Sequence, residues 1–162
     1  RGFFVEVLER LADVPVSDFA VDALVLWEPY ENTLACWNPL ATTWYMEGSC
    51  DFNAVGVKHY LSQDMGTQAT ANTLAQGYYD SIRRMLRLEE FDREGLRADL
   101  GVWGTCSGQS CDSLLNEWEA LWDGQSAAFD CATVSEIPQA ECHALVALYN
   151  STNGPNWINR LT

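Results

Sequence analysis

Six cysteines set the tightest constraint on this 162-residue chain, because they fall in three sequence-close pairs: Cys36 with Cys50, Cys106 with Cys111 and Cys131 with Cys142. An even count with short spacings reads as a disulfide framework formed in an oxidising compartment. Six cysteines allow fifteen pairings, so loop length alone favours the three neighbour pairs. A structural zinc would need several thiolates or imidazoles at short ligand spacing. No C-x-x-C occurs, and the two histidines, His59 and His143, stand far apart in the sequence. The expectation is therefore a stapled extracellular protein without a metal.

The chain can also build a real core. Hydrophobic residues make up 48% of it, with seven Trp, six Tyr and six Phe, which is enough apolar surface to offset chain entropy. Acidic residues outnumber basic ones 23 to 9, for a net charge of -14. Nucleic acids and anionic membrane surfaces are held by clustered Lys and Arg. Here Lys58 is the sole lysine, and only Arg83, Arg84 and Arg87 cluster, so neither partner is expected. No apolar stretch reaches the ~18 residues of a membrane span, since the run Phe19 to Trp27 is broken by Asp22. The start of the sequence has no signal-peptide pattern, so a secreted protein would have been processed before Arg1.

Periodicity predicts a mainly α (α+β) chain. Phe4, Val7, Leu8 and Leu11 mark a first helix within Phe3 to Ala12, stopped by Val14-Pro15. Ser17 is placed to cap a second, strongly apolar helix carrying Phe19, Ala23, Leu24, Leu26 and Trp27. Pro29 should end or kink that helix, leaving Glu31 near its C-terminus. Asn32 to Tyr60 reads as loop with a small β-hairpin that includes Val55 to Tyr60. Helical spacing returns over Asp64 to Leu74, Tyr78 to Leu88 and Ser113 to Trp122. The chain thus divides into a main domain over 1–123, a small polar linker over 124–130, and a separate segment over 131–162. In that last segment Pro138 opens a helix striped with Ala140, Leu145, Val146 and Leu148.

Particular motifs stand out against this background. Trp27-x3-Glu31-x6-Asn38-Pro-Leu-Ala-Thr-Thr43 is followed by Asp51-Phe-Asn-Ala-Val-Gly-Val-Lys-His-Tyr60, then Ser62-x3-Gly66-x2-Ala-Thr-x2-Thr-Leu74 and Gly77-Tyr-Tyr79. Over about residues 15 to 88 this resembles a lysozyme-like domain of secreted bacterial and phage proteins, related to glucosaminidases and lytic transglycosylases. The tail, Ile137-Pro-Gln-Ala-Glu-Cys-His-Ala-Leu-Val-Ala-Leu-Tyr with Asn153-Gly-Pro-Asn-Trp157, is similar to the N-terminal cap of a bacterial extracellular leucine-rich repeat. No repeat follows that cap, so the chain reads as a truncated or processed form.

The resemblance implies cleavage of a cell-wall glycan such as peptidoglycan, with Glu31 as general acid. Such an acid must stay protonated near neutral pH, which burial against Trp27 and the negative end of the helix dipole would favour. Asp51, with Glu47 behind it, is the candidate second carboxylate. Trp37, Asn38, Thr42, Thr43, Asn53, Tyr60, Tyr78 and Tyr79 are the candidate glycan-binding residues, through stacking or hydrogen bonds. Structural duty is the plainer reading for Asn38, Thr42 and Thr43, because Asn-Pro makes turns and Thr favours strands. Where the family pattern has Glu-Gly, this chain has Glu31-Asn32. That departure keeps open a second reading, a catalytically inactive glycan-binding or self-associating component of an extracellular assembly. There is no P-loop, G-x-S-x-G or H-E-x-x-H, so no cofactor is called for. The Gly104 to Cys111 loop reads as a disulfide-closed turn, and Asn150-Ser-Thr fits a glycosylation sequon.

Overall fold

The computed structural model describes residues 1–106, 109–126, 131 and 136–151, with side chains omitted at 109, 110, 125, 126, 150 and 151. These residues form a mainly helical molecule with one small sheet. The order is α1 (Gly2–Glu9), α2 (Asp18–Glu31), β1 (Cys50–Asp51), β2 (Lys58–His59), α3 (Gln63–Leu74), a 3-10 turn (Gly77–Tyr79), α4 (Asp80–Leu86), α5 (Arg93–Trp103), α6 (Gln109–Ser126) and α7 (Gln139–Ser151). None of the helices among the described residues is long and apolar enough to cross a membrane.

Local chemistry explains the helix starts. Ser17 Oγ accepts from Ala20 N at 3.1 Å, capping α2, and Ser62 does the same for α3 through Met65 N at 3.2 Å. Pro29 does not break α2. It falls in the last turn, where the loss of one backbone bond is tolerated, and the helix runs on to Glu31. Asn32 then ends it in the left-handed region at φ 41°, with its N–H on Glu28 O at 3.3 Å. Asparagine here takes the left-handed conformation that glycine most often supplies at a helix C-terminus.

α5 lies in a stretch to which the periodicity assigned no helix. Its signal was present: Asp92 accepts from Glu94 N and Gly95 N, Leu96 and Leu100 fall on one buried face, and Gly104 closes it at φ 109°. The helix expected over Ser113 to Trp122 is longer, so residues 124–126 of the expected linker are helical. The expected Tyr78 to Leu88 helix splits into a 3-10 turn and a shorter α4, whose first turn is capped from α5 by Asp99 accepting from Ile82 N at 3.0 Å.

The core is centred on α2. Trp27 is fully buried and meets Trp103 of α5 at 4.7 Å and Trp118 of α6 at 5.6 Å between ring centroids. Trp118 donates its indole N–H to Ala23 O at 2.8 Å. Leu24, Leu40, Leu74, Met85, Leu100 and Leu114 fill the space around them. Truncating either tryptophan to alanine removes a packing unit worth about 3–5 kcal/mol. The basic cluster of the sequence is consumed within this frame, since Arg83 and Arg87 both bind Asp13, at 3.1 and 2.8 Å.

Two disulfides join sequence neighbours, Cys106 to Cys111 and Cys131 to Cys142. The third expected pair does not form: Cys36 and Cys50 are free and exposed. β2 lies between them. Cys50 is in register with His59 on one edge of the strand, while Cys36 O accepts from Tyr60 N at 2.9 Å on the other. Two strand spacings, ~9–10 Å, exceed what a disulfide bridges without backbone movement. On α7, Leu145 and Leu148 of the expected apolar stripe are exposed. The Ser151 and Thr152 side chains of the sequon and the tail through Trp157 lie outside the described residues.

Candidate functional site

Glu31 occupies the C-terminal end of α2, half-buried against the aromatic core. Its Oε1 accepts from Trp27 Nε1 at 2.8 Å and from the hydroxyl of Thr105. The same indole N–H also reaches Thr105 Oγ1 at 3.0 Å, so the three side chains close a small ring of hydrogen bonds. Burial raises the pKa of Glu31 above its ordinary value, and the Thr105 and Trp27 donors only partly offset this. Among the described residues no arginine or lysine pairs with Glu31. Glu31 Oε2 takes no hydrogen bond from a described residue. A protonated Glu31 therefore carries its proton on Oε2.

An aromatic wall leads away from this carboxyl. Trp27 packs at a 59° tilt against Trp103, whose indole N–H is fixed on Leu40 O at 2.7 Å, and Trp103 meets Tyr79 at 5.1 Å. Tyr79 in turn meets Tyr78 at 5.0 Å. Beyond them opens a concavity of about 420 Å³ lined by Thr43, Trp44, Tyr45, Thr73, Gln76, Tyr78 and Tyr79. Glu31 is not in its lining; two indole rings separate them. Tyr78 and Tyr45 expose large ring faces there, whereas Tyr79 is buried and its phenol is pushed up to about 12, chiefly by that burial.

The sequence-predicted binding residues do not share one site. Thr43, Tyr78 and Tyr79 meet in the concavity just described. Trp37 and Asn38 lie on another, of about 330 Å³, between the end of α2 and α1, together with Glu28 and Thr33. Asn38, Thr42 and Tyr60 have their polar atoms engaged inside the fold, the structural duty that was the plainer reading for Asn38 and Thr42. Asn38 Nδ2 donates to Thr42 O at 2.8 Å and Lys58 O at 2.7 Å, and its Oδ1 accepts from Thr42 N at 2.9 Å. This amide ties the loop to β2 and holds Trp37 and Ala41 in left-handed conformations, at φ 53° and 54°. The Thr42 and Thr73 hydroxyls share a hydrogen bond, and the Tyr60 hydroxyl donates to Trp44 O at 2.7 Å, its pKa raised by burial. Asn53 is exposed and caps a turn, its Oδ1 accepting from Val55 N and Val57 N.

Asp51, the proposed second acid, sits on β1, exposed and ion-paired with Lys58. That pairing engages the carboxylate with a lysine at the surface of the hairpin. Sequence reasoning missed Thr105 as a contact of the acid. Its only signal was the turn between Gly104 and Cys111, which it identified as disulfide-closed. Gly66, a position of the motif, has a packing reason: a Cβ there would lie 1.9 Å from Trp37 O, so the bare backbone of α3 lets the Trp37 loop sit against it. Among the described residues no group of His, Cys, Asp or Glu could hold a metal ion. No family profile, curated protein or solved structure matches this chain.

Proposed function

We propose that the chain is an extracellular, cell-wall-directed protein with a lysozyme-like helical domain that cleaves the glycan strand of peptidoglycan or a related N-acetylhexosamine polymer. The observation that carries the reading is Glu31: a carboxyl raised by burial, unpaired by any described cation, with one oxygen held by two donors and the other bound by no described residue. A general acid needs this combination, since it must arrive protonated and deliver its proton in a fixed direction. The exposed ring faces of Tyr45 and Tyr78 and the hydroxyl of Thr43 line a concavity apart from Glu31, and so support glycan binding rather than cleavage.

With Asp51 committed to Lys58, a one-acid route fits best. Glu31 Oε2–H protonates the glycosidic oxygen as the C1–O bond breaks, the sugar's own hydroxyl closes on C1, and the resulting carboxylate takes that hydroxyl's proton. No second carboxylate is required, as in lytic transglycosylases. The ion-paired Asp51 also favours the second reading, a glycan-binding component without turnover. In either case the exposed Leu145 and Leu148 on the disulfide-anchored α7 support the likeness of the tail to a leucine-rich-repeat cap.

The test is muropeptide release from purified cell walls by the wild type and Glu31→Gln. Release by the wild type with loss of at least ~100-fold in the variant is expected for removal of a general acid. Equal release by both, or none by either, sinks the catalytic reading; none by either with retention on the walls supports the binding reading.

A further inference from the structure

Among the described residues that follow α5, Thr105 delivers its hydroxyl to Glu31. Gly104 adopts φ 109°, and the N–H groups of Gly104, Thr105 and Cys106 all converge on Leu100 O, at 3.0, 3.0 and 3.4 Å. Cys106 is tied by its sulfur to Cys111 in the opening of α6. Thr105, squeezed between the glycine turn and the disulfide, is buried, and its side chain crosses to Glu31, 74 positions earlier in the chain. A buried hydroxyl at a turn could have been satisfied by a nearby carbonyl. Here it accepts from the Trp27 indole and donates to the carboxylate.

We propose that Thr105 is the positioning residue of Glu31: it locks Oε1 into the Trp27–Thr105 ring and so fixes Oε2 as the oxygen that exchanges protons. This rests on the general-acid role proposed above for its catalytic consequence, but the positioning itself is a property of the folded protein. The two donors to Glu31 are neutral. Of the neighbouring titratable groups, Glu28 on α2 is exposed, Tyr30 donates to Glu117 of α6 at 2.8 Å, Asp99 of α5 faces Ile82, and Arg97 of α5 pairs with Asp112 of α6. Among the described residues after α5, this hydroxyl is therefore the group able to tune the acid. Removing a donor to the charged form raises the pKa of the acid.

The experiment compares the wild type, Thr105→Ser and Thr105→Val, with the Glu31 carboxyl followed by carbon-13 NMR and assigned by its loss in Glu31→Gln. Thr105→Val is expected to move the Glu31 midpoint upward, while Thr105→Ser, which keeps the hydroxyl, leaves it near the wild-type value. On cell walls the valine variant should lose roughly tenfold in kcat with little change in KM, the loss typical of one hydrogen bond to a charged group, with serine restoring it. An unmoved Glu31 midpoint in Thr105→Val overturns the proposal, as does a serine variant that behaves like valine. If the valine variant fails to give a native near-ultraviolet spectrum, Thr105→Ala removes the same hydroxyl with a smaller side chain and is read in its place. If the wild type releases no muropeptides, the catalytic reading falls while the NMR titration still decides the role of Thr105.

Discussion

The same substitution, glycine to alanine inside a helix, should have opposite signs at two places in this protein. Alanine is favoured over glycine in a helix interior by ~1 kcal/mol, because it loses less backbone entropy on folding. At Gly101 in α5 a Cβ would meet nothing within 4 Å. Gly101→Ala should therefore gain about 0.5–1 kcal/mol and raise Tm by roughly 1–4 °C for a chain of this size. At Gly66 in α3 the new Cβ would stand 1.9 Å from Trp37 O and 3.0 Å from both the Trp37 carbonyl carbon and Cβ. That backbone cannot simply retreat. Cys36 O is bonded to Tyr60 N, and the following Asn38 is anchored by bonds to Thr42 and Lys58. The overpacking cost of ~1–3 kcal/mol is joined by strained or broken hydrogen bonds at ~1 kcal/mol each, against the ~1 kcal/mol of helix propensity. The net is a loss of about 2 kcal/mol, or about 4–8 °C in Tm. Urea unfolding of both variants reads this directly, as midpoints displaced in opposite directions at unchanged slope. A Gly66→Ala protein as stable as Gly101→Ala would refute the claim that the Trp37 loop is pinned against α3.

Two further predictions concern groups the fold has placed unusually. Because burial holds Glu31 above its ordinary 4.5 in the folded state, folding takes up a proton between that value and the raised one, and stability contributed by the protonated form is lost as pH rises through this window. Glu31→Gln should be more stable than the wild type at neutral pH in thermal unfolding, with the gap closing below pH 4.5; a gap that widens on acidification contradicts the assigned shift. Under native, non-reducing conditions a thiol reagent should titrate the two free cysteines, and Cys36→Ser and Cys50→Ser should each remove one. A protein with no titratable thiol would restore the neighbour pairing that β2 separates.

Much of the fold was legible in the chain because its signals are local. Ser17 and Ser62 announce helix starts within one turn, apolar residues at helical spacing mark the buried faces of α1 and α2, and Gly104 closes a helix at its own position. The two disulfides formed by neighbours span loops short enough for sequence distance to predict spatial distance. Glu31 was found for the same reason: its place at a helix end beside Trp27 is a matter of four residues. The cap and apolar face of α5 are equally local, but its buried stripe holds only two large apolar side chains, Leu96 and Leu100, too few to stand out in the sequence.

What the tertiary structure decided are the contacts that join distant parts of the chain. Whether Asn38 faces a sugar or a strand depends on Lys58, and whether Cys36 reaches Cys50 depends on a strand laid between them. Thr105 meets Glu31 across 74 positions and Trp27 across 78, through a turn whose own sequence says only that it is closed by a disulfide. Hydrogen-bond partners are chosen by proximity after the apolar faces have packed, and one hydroxyl can satisfy many acceptors equally well. The sequence therefore determined which segments would be helical and which acid stood at a helix end, and only packing determined which atoms that acid would meet.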